Sequence, residues 1–306
     1  MSLRSQGLAF SALAWLSLVA SLVLPRVDAQ IQLLVLSPVI LLLGVPHGAL
    51  DIVFVRQLTG IRSAAHWGLF TLAYLAAAAS VVALWWFAPH FFLAAFLLVS
   101  VLHFSGDPDG ETPAVFRLLY GGAFLFCPLA LHAPEVAQVF SFLAGPPAAQ
   151  AIVQALQWAA WPWIAATAVV ALAAAKQAPA RSVELVSITA LLSFAPPLIG
   201  FTVFFCGMHG ARHVLRTRGY ASAGTFQHLL RIAAWPMLVT VVGVVAAWWL
   251  SGGASLDMRL AQLLFVGLAA LTVPHMLVVE RVRFTGWQSG RARPQEPSFQ
   301  GVTHER

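Results

Sequence analysis

The 306-residue chain is 60% hydrophobic and only 9% charged, where a soluble domain carries about 25% charged residues. That balance excludes a water-soluble globular protein and identifies an integral membrane protein, with connections too short to house a separate soluble domain. The net charge of +6 does not point to nucleic acid, because the basic residues stand at the ends of apolar runs, where they mark the cytoplasmic face.

A spanning helix needs about 20 apolar residues. In chain order the expected segments are 8–24, 31–55, 65–87, 89–104, 113–132, 151–175, 182–195, 198–216, 226–250 and 259–280. The fold class is therefore an all-α polytopic membrane bundle of about 8–10 transmembrane segments, forming one membrane domain over residues 1–280. Residues 8–24 follow Arg4 and resemble a signal peptide. The apolar stretch is long for a signal and Val27-Asp28-Ala29 is a poor cleavage site, so it is read as a retained first helix. Pro196-Pro197 divides the stretch 182–216, since proline removes a backbone donor and clashes with the preceding turn. Residues 281–306 are polar, contain Pro294 and Pro297, and are expected to form a disordered cytoplasmic tail.

With the N-terminus inside and ten segments, every one of the 17 lysines and arginines except Arg26 and Arg259 falls on the inner side. Such a bias sets orientation and predicts a multi-pass protein of the cell inner membrane with both termini cytoplasmic. Cys127 and Cys206 lie inside apolar runs as small packing residues and set no redox compartment.

Against this background the histidines stand out, because an ionisable residue inside a membrane is a functional candidate by default. His47 lies in GVPHGALD, His103 in LHFSGD, and His209 and His213 in MHGARH. All four fall toward the C-terminal ends of helices running outward to inward, as does His275 in LTVPHMLVVE, so the topology sets them at similar depth. Residues four apart share a helix face, so His209 and His213 project together, the spacing used when two imidazoles bind one metal. Two polar residues at a wet helix end would show the same spacing.

His47 and Asp51, and His103 and Asp107, repeat the interval. A carboxylate one turn away can accept the free ring N–H of a ligating histidine and fix its tautomer. A backbone carbonyl would satisfy His47 equally, and Asp107 also suits an interfacial loop. Gly44, Gly48, Gly106, Gly207 and Gly210 flank the motifs and permit close helix approach, with or without a metal. His275 precedes Glu280 and is read as an orienting group, while His66, His90, His132, His228 and His304 are read as structural or solvated. Phe91, Phe92, Phe96, Phe104, Phe201, Phe204 and Phe205 lie near the motif helices and are candidates to line a pocket for a long conjugated ligand.

The ordered set GVPHGALD, LHFSGD, CGMHGARH and LTVPHM, over residues 40 to 280, resembles the Brp/Blh family of bacterial and archaeal carotenoid-cleaving membrane enzymes. The resemblance implies a β-carotene 15,15'-dioxygenase using O2, with Fe(2+) held by His47, His103, His209 and His213. It also implies membrane lipid as the source of β-carotene or a related carotenoid, and a functional link to a retinal-binding rhodopsin. Asp51, Asp107, His275 and Glu280 would then orient the ligands, with no catalytic acid or base beyond the metal site. Two other classes fit parts of the pattern: a transporter or proton channel with a histidine–carboxylate relay, and a di-iron membrane oxygenase, for which this chain has too few histidine boxes.

Overall fold

The computed structural model describes residues 1–108, 111–220 and 225–285. Among them the chain is helical throughout, with no strand. The helices are α1 (Leu3–Val23), α2 (Ala29–Val39), α3 (Pro46–Ala49), α4 (Asp51–Thr59), α5 (Ala64–Phe87), α6 (Pro89–Phe104), α7 (Ala114–Leu129) and α8 (Ala133–Ala144). They continue as α9 (Pro146–Ala174), α10 (Pro179–Phe194), α11 (Pro197–Thr202), α12 (Ala211–Tyr220), α13 (Phe226–Leu250) and α14 (Leu256–Thr285).

The punctuation follows local chemistry. Ser2, Asp28 and Ser63 cap α1, α2 and α5 by accepting backbone N–H groups that those helices leave unpaired. Proline opens α6, α9, α10 and α11, where its missing N–H is harmless and its fixed φ is already helical. The break expected at Pro196-Pro197 is present: α10 ends at Phe194 and α11 begins at Pro197.

Among the described residues, seven helical stretches are long and apolar enough to cross a membrane, or eight if α7 and α8, bent by 103° between them, form one broken span. This makes a multi-pass membrane protein, with fewer full crossings than the ten segments expected. The shortfall has two causes. The proline-bounded helices α6 and α10 have 16 residues each, about 24 Å of helix against a hydrocarbon core of about 30 Å. The segment expected over 113–132 turns sharply after Pro128, and the next residues form a helix, α8, that apolarity alone did not announce. At the other end α14 runs to Thr285, so residues 281–285 are helical rather than part of a disordered tail. The remaining tail residues, 286–306, lie outside the described residues.

Packing centres on α14, which contacts α2, α4, α5, α8 and α13. On the other side, α9 packs against α7, α8 and α10, and α1 packs against α10, burying Phe10, Ala14 and Leu18. By contrast α5 and α13 bury only 6% and 11% of their most apolar windows. Their bare faces are leucine, valine and tryptophan, as lipid contact requires.

Candidate metal centre and adjoining cavity

Both helices that carry the central histidine motifs widen near the histidine, ahead of His47 in one and around His209 in the other. Ile40–Gly44 and Val203–Gly210 are π-helical, and the Val45 N–H reaches the Ile40 carbonyl five residues back at 3.1 Å. Single π turns inside α-helices recur at functional sites. Here the two wide turns cross each other. A Cβ on Gly44 would overlap the ring of Phe205, and one on Gly210 would stand 3.5 Å from both the Leu43 carbonyl and His47 Nδ1. At Gly44 only glycine permits this approach, and the crossing sets the His47 and His209 rings 4.7 Å apart, edge to face.

Around that crossing the other imidazoles gather. The His103 ring lies 4.6 Å from His209, and His213 lies 5.4 Å from His47. His275 completes the group at 5.1 Å from His47, 5.2 Å from His103 and 5.0 Å from His213. All five are buried. His209 and His213 are 6.5 Å apart, each nearer to His47 than to the other.

What each ring does with its outer nitrogen decides what the inner one offers. His209 Nδ1 donates to both oxygens of Asp107 at 3.0 Å. His275 Nδ1 donates to Asp51 Oδ1 at 2.7 Å, and the Tyr74 hydroxyl donates to Asp51 Oδ2 at 3.0 Å. His47 Nδ1 donates to the Gly44 carbonyl. A neutral imidazole that donates from Nδ1 keeps its lone pair on Nε2, so these three rings turn lone pairs toward the centre. The Nε2 atom of His275 is buried and has no hydrogen-bond partner.

The carboxylates thus orient histidines, but not the ones their spacing suggested. The helix breaks at Leu50 (φ −85°, ψ 1°), which destroys the face shared by His47 and Asp51 and sends Asp51 to His275. Asp107 lies beyond the end of α6, in the turn after Phe104, and so leaves the face of His103 for His209 on another helix. Glu280 sits further along α14 and, unlike His275, does not line the adjoining cavity.

The donor set fits a metal ion. Nε2 of His103 and Nε2 of His209 are 3.1 Å apart. Two metal–nitrogen bonds of about 2.0–2.1 Å, meeting between a right angle and a tetrahedral angle, separate their nitrogens by roughly 2.9–3.4 Å. Ligand atoms of His47, His103 and His275 all lie within 4.8 Å of one another, as do those of Asp51, His213 and His275.

A buried polar network that the sequence did not announce backs this cluster. Arg212 forms a two-pronged pair with Glu184 at 2.6 and 2.7 Å and donates to Gln6 Oε1 at 3.0 Å. Gln6 in turn donates to the Gly207 and Met208 carbonyls at 2.9 and 3.3 Å, in the π turn. Arg216 holds the Asp107 and Gly106 carbonyls at 2.5 and 3.2 Å. The usable signal was Glu184, an acid inside an apolar segment.

Beside the histidines opens a cavity of about 310 Å³ whose wall includes His47, His103, His275 and Asp51 and is otherwise almost wholly apolar. Of the phenylalanines singled out in the sequence, Phe96, Phe104, Phe201 and Phe205 line it. Phe92 and Phe204 are instead buried in the packed core, and Phe91 is 75% exposed. Tyr74 and the α5 and α13 wall were missed, because an apolar run does not tell a cavity-facing residue from an outward-facing one.

Fold and site together define a polytopic helical membrane protein with a buried histidine cluster opening on an apolar chamber. A profile described as beta-carotene 15,15'-dioxygenase matches residues 39–282, and the chain belongs to that family of carotenoid-cleaving enzymes. It is 25% identical over 261 residues to the beta-carotene 15,15'-dioxygenase of uncultured marine bacterium 66A03, covering 79% of this chain and 90% of that one. It is 27% identical over 278 residues to the probable beta-carotene 15,15'-dioxygenase Blh of Halobacterium salinarum, covering 77% and 80%. No solved structure matches the chain.

Proposed function

We propose that the chain binds one Fe(II) ion through His47, His103, His209 and His213 and splits the central 15,15' double bond of β-carotene with O2 into two molecules of all-trans-retinal. The observation that carries the reading is the convergence of five buried imidazoles beside an apolar cavity, with the outer nitrogens of His47, His209 and His275 already committed. Iron, when bound, supplies the activation of O2, which no side chain here can provide. His275, with Asp51 and Tyr74 behind it, faces the same centre and is a fifth candidate ligand.

The protein's own contribution is positioning and exclusion. Asp107 and Asp51 fix the tautomers and ring planes of His209 and His275, which raises their basicity toward a cation. β-Carotene is a hydrocarbon with no polar handle, so wall shape and apolar contact must align its central bond with the imidazoles. The same apolar wall keeps water from the reacting centre. Alkene cleavage by O2 needs no general acid; the acidic groups on the wall, Asp51 and Tyr74, are engaged with each other and with His275. We place the protein in the cell inner membrane with both termini cytoplasmic, drawing carotenoid from lipid and able to supply a retinal-binding rhodopsin there.

Expression in β-carotene-producing cells supplied with iron is expected to turn them from orange to pale as retinal accumulates. Unchanged pigment in cells that express the protein well overturns the reading. Purified protein is expected to hold about one iron per chain, reduced at least about 10-fold in affinity when any of the four histidines becomes alanine.

A further inference from the structure

The chamber's wall is not equally buried around its circumference. Near the histidines it is sealed: Leu93, Leu97 and Phe104 are at most 6% exposed. On α5 and α13 the wall includes residues that are also open to the outside, among them Thr71, Leu75 (52% exposed), Val239 (46%) and Trp235 (70%). A residue can line a cavity and remain half bare on the protein's surface only where the cavity breaches that surface. Both helices pack on α14, so the breach lies above the α14 face that carries Leu268, Thr272 and His275, all of them wall residues. α13 is also locally weakened there: Pro236, another wall residue, lies inside the helix and cannot make the backbone bond of its turn.

We propose that the gap between α5 and α13 is a lateral portal through which the polyene substrate slides from the acyl-chain region to the histidines, framed by Thr71, Leu75, Trp235 and Val239. Few residues of either helix are fully buried in the protein, so what faces the gap is lipid, and the frame offers mainly aliphatic and aromatic contact. An elongated apolar chain is the ligand class such an opening admits. Just inside it stands Tyr74, its hydroxyl donating to Asp51, whose other oxygen accepts from the His275 ring. The proposal rests on the carotenoid-cleavage reading for the identity of the polyene.

The test narrows the gap from each side with Thr71→Trp and Val239→Trp. Controls are Leu72→Trp and Leu238→Trp, at adjacent positions that are 66% and 52% exposed and do not line the cavity. All four sites face outward, so bulk there leaves the packed core alone. Proteins in lipid nanodiscs are followed in two ways: anaerobic β-carotene uptake, read from the polyene absorption band, and aerobic cleavage kinetics. Both portal variants are expected to slow uptake and lower kcat/KM by about 10-fold, mostly through KM, with iron content and thermal stability like those of the controls. Portal variants that match the controls in uptake and in kcat/KM overturn the portal. Uptake by the unaltered protein without cleavage fails the catalytic reading alone and leaves the uptake comparison decisive. An unaltered protein that takes up no polyene overturns both.

Discussion

Glu184 and Arg212 meet as a two-pronged pair whose side chains are 12% and 7% exposed, so solvent screens little of whichever is left alone. Removing one member of such a pair typically destabilises by about 3–5 kcal/mol, because the survivor stays buried and charged. Glu184→Ala is expected to lower the thermal midpoint in detergent sharply. Because Arg212 also holds Gln6 against the Gly207 and Met208 carbonyls, the variant should loosen the turn that carries His209. Asp51→Asn acts differently. It preserves volume but removes the charge behind His275, and a metal-orienting role predicts about 10–100-fold weaker iron binding with little change in melting. Equilibrium iron titration checks it. At this scale the sequence was readable in kind and misleading in partner. Histidines and carboxylates inside apolar segments had to find one another, but the break at Leu50 and the helix end at Phe104 decided which did.

The two π turns show how an element can be invisible in a sequence and still shape the site. Nothing in ILLLG or VFFCGMHG departs from an α-helical apolar run; the widening arises where the two helices cross at Gly44 and Gly210. Gly44→Ala puts a methyl into the ring of Phe205, which itself stacks on His209 at 5.7 Å. The ring must move, and His209 with it. Loss of bound iron with retained helical content, measured by metal analysis and circular dichroism, is the expected outcome. Other elements were plain from the start. The start of α6 at Pro89 and the cut at Pro196-Pro197 follow from proline geometry, whereas α9 and α10 begin at Pro146 and Pro179, ahead of the expected 151 and 182. The short helix α8 escaped because twelve residues of mixed polarity carry no spanning signal; only its packing beside the chamber, through Val136, Phe140 and Leu143, gives it a place.

On the scale of the whole molecule, hydropathy and arginine placement brought the histidine-bearing helices to one level, and in the folded chain those histidines do touch. The number of full crossings did not follow as well, since apolar length counts a bent or truncated helix as a whole one. The bareness of α5 and α13 was equally hidden, because every spanning helix looks apolar whether it meets protein or lipid. That bareness changes the meaning of concentration for this enzyme. If the chamber opens onto acyl chains, the enzyme samples its substrate as a mole fraction within a two-dimensional solvent. Adding carotenoid-free phospholipid to fused proteoliposomes, at fixed total carotenoid and protein, should then slow turnover in proportion to the dilution. Altering the aqueous volume at constant carotenoid-to-lipid ratio should leave the rate per enzyme where it was.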